Sequence, residues 1–195
     1  MTFRRTRCPH CKGKLDQGQR IHPGCIDGYA EAQAAKVARA EEKKARMAAK
    51  VERAETRRRK EALKTIPGLI KEAQIAFNAF IRERDRQAGH VCISSGRQLD
   101  WSGNAVDAGH YRSTGAASHL RFHEDNCHAQ SKHDNQFLAG NAVDYRIRLV
   151  ARIGLDRVEA LEADNQVRKW TRQELMAIRD EYRLKNKKLK QEGGA

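Results

Sequence analysis

The sequence predicts an α+β protein that is mostly helical: a small core of two strands and one helix, flanked by further helices and preceded by a zinc-knuckle-like segment and a long charged helix. Three observations lead there. Apolar residues recur at helical spacing in several separate stretches, only two short runs favour strands, and three of the five cysteines fall within the first 25 residues. With 39% apolar and 33% charged residues in 195, the core must be small.

Residues 1–28 carry Cys8-Pro9-His10-Cys11 and His22-Pro23-Gly24-Cys25. Two short chelate loops about ten residues apart can place Cys8, Cys11, His22 and Cys25 at the corners of a tetrahedron around a structural Zn2+. Such a segment has almost no core, so metal binding would supply most of its folding free energy. Clustered cysteines also argue for a reducing compartment rather than a disulfide framework. The neighbouring Arg4, Arg5, Arg7, Lys12, Lys14 and Arg20 are expected to face phosphate.

Residues 29–64 are rich in Ala, Glu, Lys and Arg and contain no Pro or Gly, which predicts one continuous helix. From Glu31 to Lys64 it would run about 50 Å. Val37, Met47 and Val51 do not sustain a heptad, so a solvated spacer is expected rather than a coiled coil. Its basic run Arg57-Arg58-Arg59-Lys60 could lie along a DNA backbone or simply face water.

Ile66-Pro67-Gly68 opens a compact domain over 65–190, leaving 191–195 as a flexible tail. Leu69, Ala73, Phe77 and Phe80, with Ile70 and Ile81, define an amphipathic helix ending near Gly89. His90 to Ile93 and Ala105 to Tyr111 are expected to pair as a hairpin, and residues 127–137 to form a helix that puts His128 and Asn135 on one face. After Gly140, Val143, Ile147, Val150 and Ile153 give another helical stripe. Asp156-x-x-Glu159 and Thr171-x-x-Glu174 read as capping boxes opening two more helices.

Thirty-nine Lys and Arg against 25 Asp and Glu give a net charge of +14, a field that attracts phosphate polyanions, DNA and RNA alike. No apolar run reaches the roughly 20 residues of a membrane span, and the charged middle lacks the apolar face of a membrane-surface helix, so a cytoplasmic, nucleoid-associated protein is expected. Within the compact domain, Asp107-Ala108-Gly109-His110, then Asn126, His128 and Asn135, supply what a one-metal phosphodiesterase requires. Oxygen donors on Asp107 and Asn135 suit Mg2+ or Mn2+ and leave positions open for a phosphate. A neutral histidine, His110, can take a proton from the attacking water near neutral pH. Arg112 and Arg121 could balance phosphate charge.

Asn78-Ala79-Phe80-Ile81-Arg82-Glu83-Arg84-Asp85, Asp107-Ala108-Gly109-His110-Tyr111-Arg112, Leu120-Arg121-Phe122 and Gly140-Asn141 together resemble the NinG, or Rap, recombination family of temperate phages, over roughly residues 65–185. The resemblance implies an HNH-like ββα-metal (His-Me finger) nuclease fold acting on branched DNA such as Holliday junctions or D-loops, alongside phage recombination proteins. It assigns Asp107 and Asn135 to the metal, His110 to water activation, Asn126 to orienting that histidine and His128 to metal or scissile phosphate. A rival assignment makes His128 the second ligand and Asn135 structural. Paired cuts in a junction would call for a homodimer.

One departure stands out. The family pattern brackets the hairpin with two C-x2-C pairs holding a structural zinc, and here only Cys92 remains, with Ser95, Ser131 and Asp134 at the other positions. Ordinary packing is expected to hold hairpin and helix together, the alternative being a site improvised by Cys92 and Cys127 with His90 or His133. The lysine usual after the helix is replaced by Leu138. A zinc-containing DNA-binding accessory protein without catalysis is the second reading.

Overall fold

The computed structural model describes residues 5–137 and 140–193, so the expectations resting on Arg4 and Leu138 lie outside the described residues. The chain divides into two compact units, residues 1–63 and 64–195.

In the first unit a knuckle precedes a helix. Arg7 and Lys14 form an antiparallel bridge, and the Cys8 N–H donates to the Gly13 carbonyl at 2.8 Å. Lys12 adopts a left-handed conformation (φ 64°) at the tip. A short turn at Pro23–Cys25 leads into α1, Ile26–Ala62, which buries no residue along its 37 positions. Its stability therefore comes from strong helix formers and from local pairs such as Glu55 and Arg59, not from packing. Val37, Met47 and Val51 all remain exposed, consistent with a solvated rod.

The second unit begins with α2, Ile66–Gln87, capped by the Thr65 hydroxyl, which accepts from the Gly68 N–H. Leu69, Ala73, Phe77, Phe80 and Ile81 are buried along one stripe and pack with α6, Arg172–Glu192, through Leu175 and Tyr182. Arg179 of α6 reaches Glu72 of α2 at 3.0 Å. Between them in sequence come β1, Val106–His110, and β2, Cys127–Ser131, paired antiparallel with Asp107 opposite Gln130 and His110 opposite Cys127. The helices α3, Lys132–Phe137, α4, Ala142–Ile153, and α5, Leu155–Ala163, complete the unit. The protein is thus mostly helical α+β, with a two-stranded sheet.

Four expectations are corrected. The partner of β1 is 127–131, expected to be helical, and α3 is only six residues long. The β-prone run at 90–93 is not a strand but leads into a turn at 93–95, tied to the free edge of β2 by the Ile93 N–H donating to the Ala129 carbonyl at 3.1 Å. On α4 the buried residues are Tyr145 and Leu149, while Val143 and Ile147 face solvent. No side chain caps α5, whose N-cap residue is Gly154 (φ 88°), so Asp156 lies inside the first turn instead of at its cap; the Thr171–Glu174 box does form.

Candidate metal and nucleic-acid sites

In the first unit Cys8, Cys11, His22 and Cys25 bring one ligand atom each to within 4.8 Å of one another, a set that could hold a metal ion such as zinc. His22 Nε2 lies 3.0 Å from the Lys14 carbonyl and Nδ1 3.2 Å from Cys11 Sγ. The proton therefore sits on Nε2, and Nδ1 turns its lone pair to the sulfurs, the arrangement a ligating histidine needs. Burial opposes a thiolate at Cys8, but backbone N–H groups around it outweigh that and lower its pKa to about 6.

In the second unit, the side chains of a strand alternate between faces. Asp107 lies on the face met by α3, where its Oδ2 accepts from Asn135 Nδ2 at 3.0 Å and from Gln136 Nε2 at 3.2 Å. Turning the Asn135 carboxamide over would present oxygen in place of nitrogen, so carboxylate and carboxamide form a donor set suited to a hard divalent cation. Gln136 is a third polar contact that the sequence reading missed, although it directly follows Asn135. A Cβ at Gly109 would collide with Oε1 of the buried Gln130, so a larger residue between Asp107 and His110 would force that side chain to shift.

His110, three positions along, lies on the opposite face. Its ring stacks on Phe77 of α2 with centroids 6.2 Å apart, Nε2 is 3.0 Å from the Arg121 carbonyl, and Nδ1 is 3.8 Å from Cys127 Sγ. Burial lowers its pKa, and burial raises that of the Cys127 thiol, so imidazole and thiol face one another uncharged. Three strand residues span about 10 Å. The structure thus brings Asp107 to Asn135 and sets His110 apart from them.

Asn126 is fully buried and clamps the loop that follows β1: Oδ1 accepts from the Arg112 N–H at 2.8 Å, and Nδ2 donates to the carbonyls of Arg112 and Leu120 at 3.0 and 3.3 Å. It acts on the backbone two residues beyond His110. His128, expected at the metal or phosphate, is instead buried beside Asp85, Nδ1 lying 3.6 Å from Asp85 Oδ2 and 3.0 Å from Arg84 Nη2. Burial lowers its pKa. Asp85 also accepts from the Ala129 N–H at 2.7 Å, so α2 is pinned to β2 through a buried carboxylate that its hydrogen bonds keep ionised despite desolvation. The signal for it was a carboxylate four residues beyond Ile81, on the apolar stripe.

Of the arginines expected at phosphate, Arg112 donates to the carbonyls of Leu161 (2.7 Å) and Asp164 and to Asn165 Oδ1 (2.8 Å), closing the C-terminus of α5. Arg121 donates to Gln74 Oε1 at 3.2 Å and the Thr114 carbonyl at 3.4 Å. Both are directed to protein acceptors. Arg57, Arg58, Arg59 and Lys60 are exposed on α1.

Cys92, Ser131 and Asp134 meet as the departed cysteine pattern implies. Cys92 Sγ donates to Asp134 Oδ2 at 3.1 Å, the Ser94 hydroxyl donates to the same oxygen at 3.3 Å, and the Ser131 N–H donates to Cys92 Sγ at 3.3 Å. Burial opposes charge on Asp134, but these and neighbouring hydrogen bonds lower its pKa to about 2. The hairpin and α3 are joined here by a thiol, hydroxyls and a carboxylate. Cys127 lies apart, beside His110.

A two-stranded ribbon with a short helix carrying acidic and amide groups, preceded by a Cys3His module on a basic rod, defines the class of this molecule. The family model of the Bacteriophage Lambda NinG protein matches residues 2–192. The chain belongs to the NinG family. It is 48% identical over 134 residues to Protein ninG of Salmonella phage P22, covering 68% of this chain and 63% of that protein. To Protein ninG of Escherichia phage lambda it is 47% identical over 134 residues (68% and 62%), and to that of Escherichia phage 933W 46% (68% and 63%). The matched stretch therefore spans less than two thirds of these relatives. No solved structure matches the chain. Among the described residues, no helix is long and apolar enough to cross a membrane.

Proposed function

We propose that the chain is a metal-dependent endodeoxyribonuclease that cuts branched DNA, a Holliday junction or D-loop, during phage recombination. The observation that supports this reading is the 3.0 Å contact between Asp107 on the ribbon and Asn135 on α3, which joins two donors of oxygen-ligand chemistry across a strand and a helix. Mg2+ or Mn2+ held there would contact a phosphate oxygen and stabilise charge on the leaving 3'-oxygen. Asn135 and Gln136 both donate to Asp107 Oδ2, which keeps the three side chains together. His110, kept neutral by burial and fixed through Nε2 to the Arg121 carbonyl, retains an unprotonated Nδ1 for the water's proton. This role requires the DNA-bound ribbon to rearrange so that Nδ1, now beside the Cys127 thiol on the face away from Asp107, reaches the water at the metal-held phosphate. Paired cuts would need two copies of the chain.

The placement of His110 on the face away from Asp107 favours a second reading, a zinc-containing DNA-binding accessory without catalysis. Synthetic four-way, three-strand and linear duplex DNA incubated with Mg2+, Mn2+ or EDTA separates the two. Metal-dependent cutting abolished by both Asp107→Ala and His110→Ala, with binding retained, supports the nuclease. Tight junction binding without cutting selects the accessory, and stronger binding of RNA rejects both.

A further inference from the structure

A cleft of about 530 Å3 opens beside Asp107, between α2, residues 100–106, β1 and the end of α6. Arg82, Arg86, Lys132 and Lys190 line it together with Trp101. Among the described residues Arg82 has no hydrogen bond or ion pair, and Lys132 reaches only the Asn104 carbonyl, at 3.4 Å. Of the opposing charge, Glu83 is buried and paired with Arg86 at 2.6 Å, whereas Asp100, exposed and held by the Ser102 hydroxyl at 2.6 Å, stays ionised. Trp101 is only partly buried, packed against the cluster of Cys92, Leu99, Val106 and Ala129. An unpaired guanidinium and two lysines without, among the described residues, a carboxylate in salt-bridge contact, beside a partly exposed aromatic ring, match a sugar-phosphate backbone and one splayed base. A paired base shows the grooves only its edges, whereas an unpaired base offers a face for stacking.

We infer that this cleft receives an unpaired segment of DNA, its phosphates on Arg82, Lys132 and Lys190 and one base stacked on Trp101, which sets a phosphodiester beside Asp107. The nature of the partner rests on the reading proposed above, whereas the selection of unpaired strands belongs to the cleft. It supplies the phosphate contacts that Arg112 and Arg121, turned to protein carbonyls, do not.

The test measures binding of labelled single-stranded, three-strand and duplex DNA in EDTA, and cutting in Mg2+, by the full chain. Trp101→Leu keeps apolar bulk for the packing beneath it but removes the aromatic face. It should weaken binding of single-stranded and three-strand DNA about 5- to 150-fold, with duplex affinity nearly unchanged, while Trp101→Phe stays close to wild type. Arg82→Ala should lower the salt dependence of single-strand binding by roughly 0.7 in log–log slope, one phosphate contact. If Trp101→Leu and Arg82→Ala bind every DNA as the wild type does, the inference is overturned; should the wild type still cut branched DNA, the nuclease reading survives that failure. Loss of single-strand affinity in these variants of a wild type that never cuts keeps the cleft and rejects the nuclease. Preference for RNA of the same sequence overturns the choice of occupant.

Discussion

Two places in this chain tie short segments together, and they do so by different chemistry. Around Cys8, Cys11, His22 and Cys25, three sulfurs and an imidazole nitrogen converge with almost no apolar support beyond Leu15. Around Cys92, Ser94, Ser131 and Asp134, a thiol and a hydroxyl donate to a carboxylate inside a packed domain, and the Ser131 hydroxyl accepts from the Asp134 N–H. The first can be stable only if something replaces the missing core, because four soft donors gain little from one another. The second gains from hydrogen bonds alone because Leu99, Val106 and Ala129 already exclude water around it. A segment's dependence on metal thus follows from how much core surrounds the donors.

The largest effect expected from this comparison is loss of the first site. Elemental analysis should find about one zinc per chain; a chelator or Cys11→Ser should remove it and open residues 5–28 to proteases, since the metal term in such modules is on the order of 10 kcal/mol. Unfolding of the second unit, read from Trp101 and Trp170, should not move. Two zinc atoms per chain would show that the second place also binds metal.

Next is Asp134→Ala, which leaves the Cys92 thiol and Ser94 hydroxyl buried without their acceptor and should cost about 1–3 kcal/mol in urea unfolding. Acidification gives a related effect. Burial lowers the pKa values of His90, His110 and His128, so the unfolded chain takes up their protons first, at about 6.5. Stability present above that pH is lost as pH falls below it, by up to about 1.4 kcal/mol per unit for each histidine. A flat stability between pH 7 and 5, followed by tryptophan fluorescence, would contradict their burial. The smallest effect is at the surface: Thr171→Ala removes one half of a capping box and should cost about 1 kcal/mol in the same measurement.

What the sequence made legible follows the same division. The Cys3His spacing, the rod of helix formers and the stripe from Leu69 to Ile81 are local signals, carried by neighbours in the chain. The partner of β1 was not local. Cys127-His128-Ala129-Gln130-Ser131 has no β-branched residue, and His128 and Asn135 stand seven apart, a helical spacing by coincidence. Treating 127–137 as helix put His128 in the site, whereas on β2 it turns to Asp85. The Asp107–Asn135 contact was anticipated because β1 and the helical residues up to 137 fell within the bounds the pattern gave them, although the helix begins at 132 and not at 127. The position of His110 was not, because three residues along a strand reverse the face while three along a tight turn need not. Arg112 shows the same limit: no local pattern reveals that the carbonyls ending α5, about fifty residues on, will claim its guanidinium.

The central claim is that Asp107 and Asn135 jointly serve a cation beside DNA. Cleavage of a four-way junction with Mg2+ or Mn2+ measures it directly, comparing wild type with Asp107→Ala and Asn135→Ala at matched DNA binding. The account predicts cutting by the wild type, none in EDTA, and loss of at least two orders of magnitude in both variants. Equal cutting by wild type and variants would contradict it.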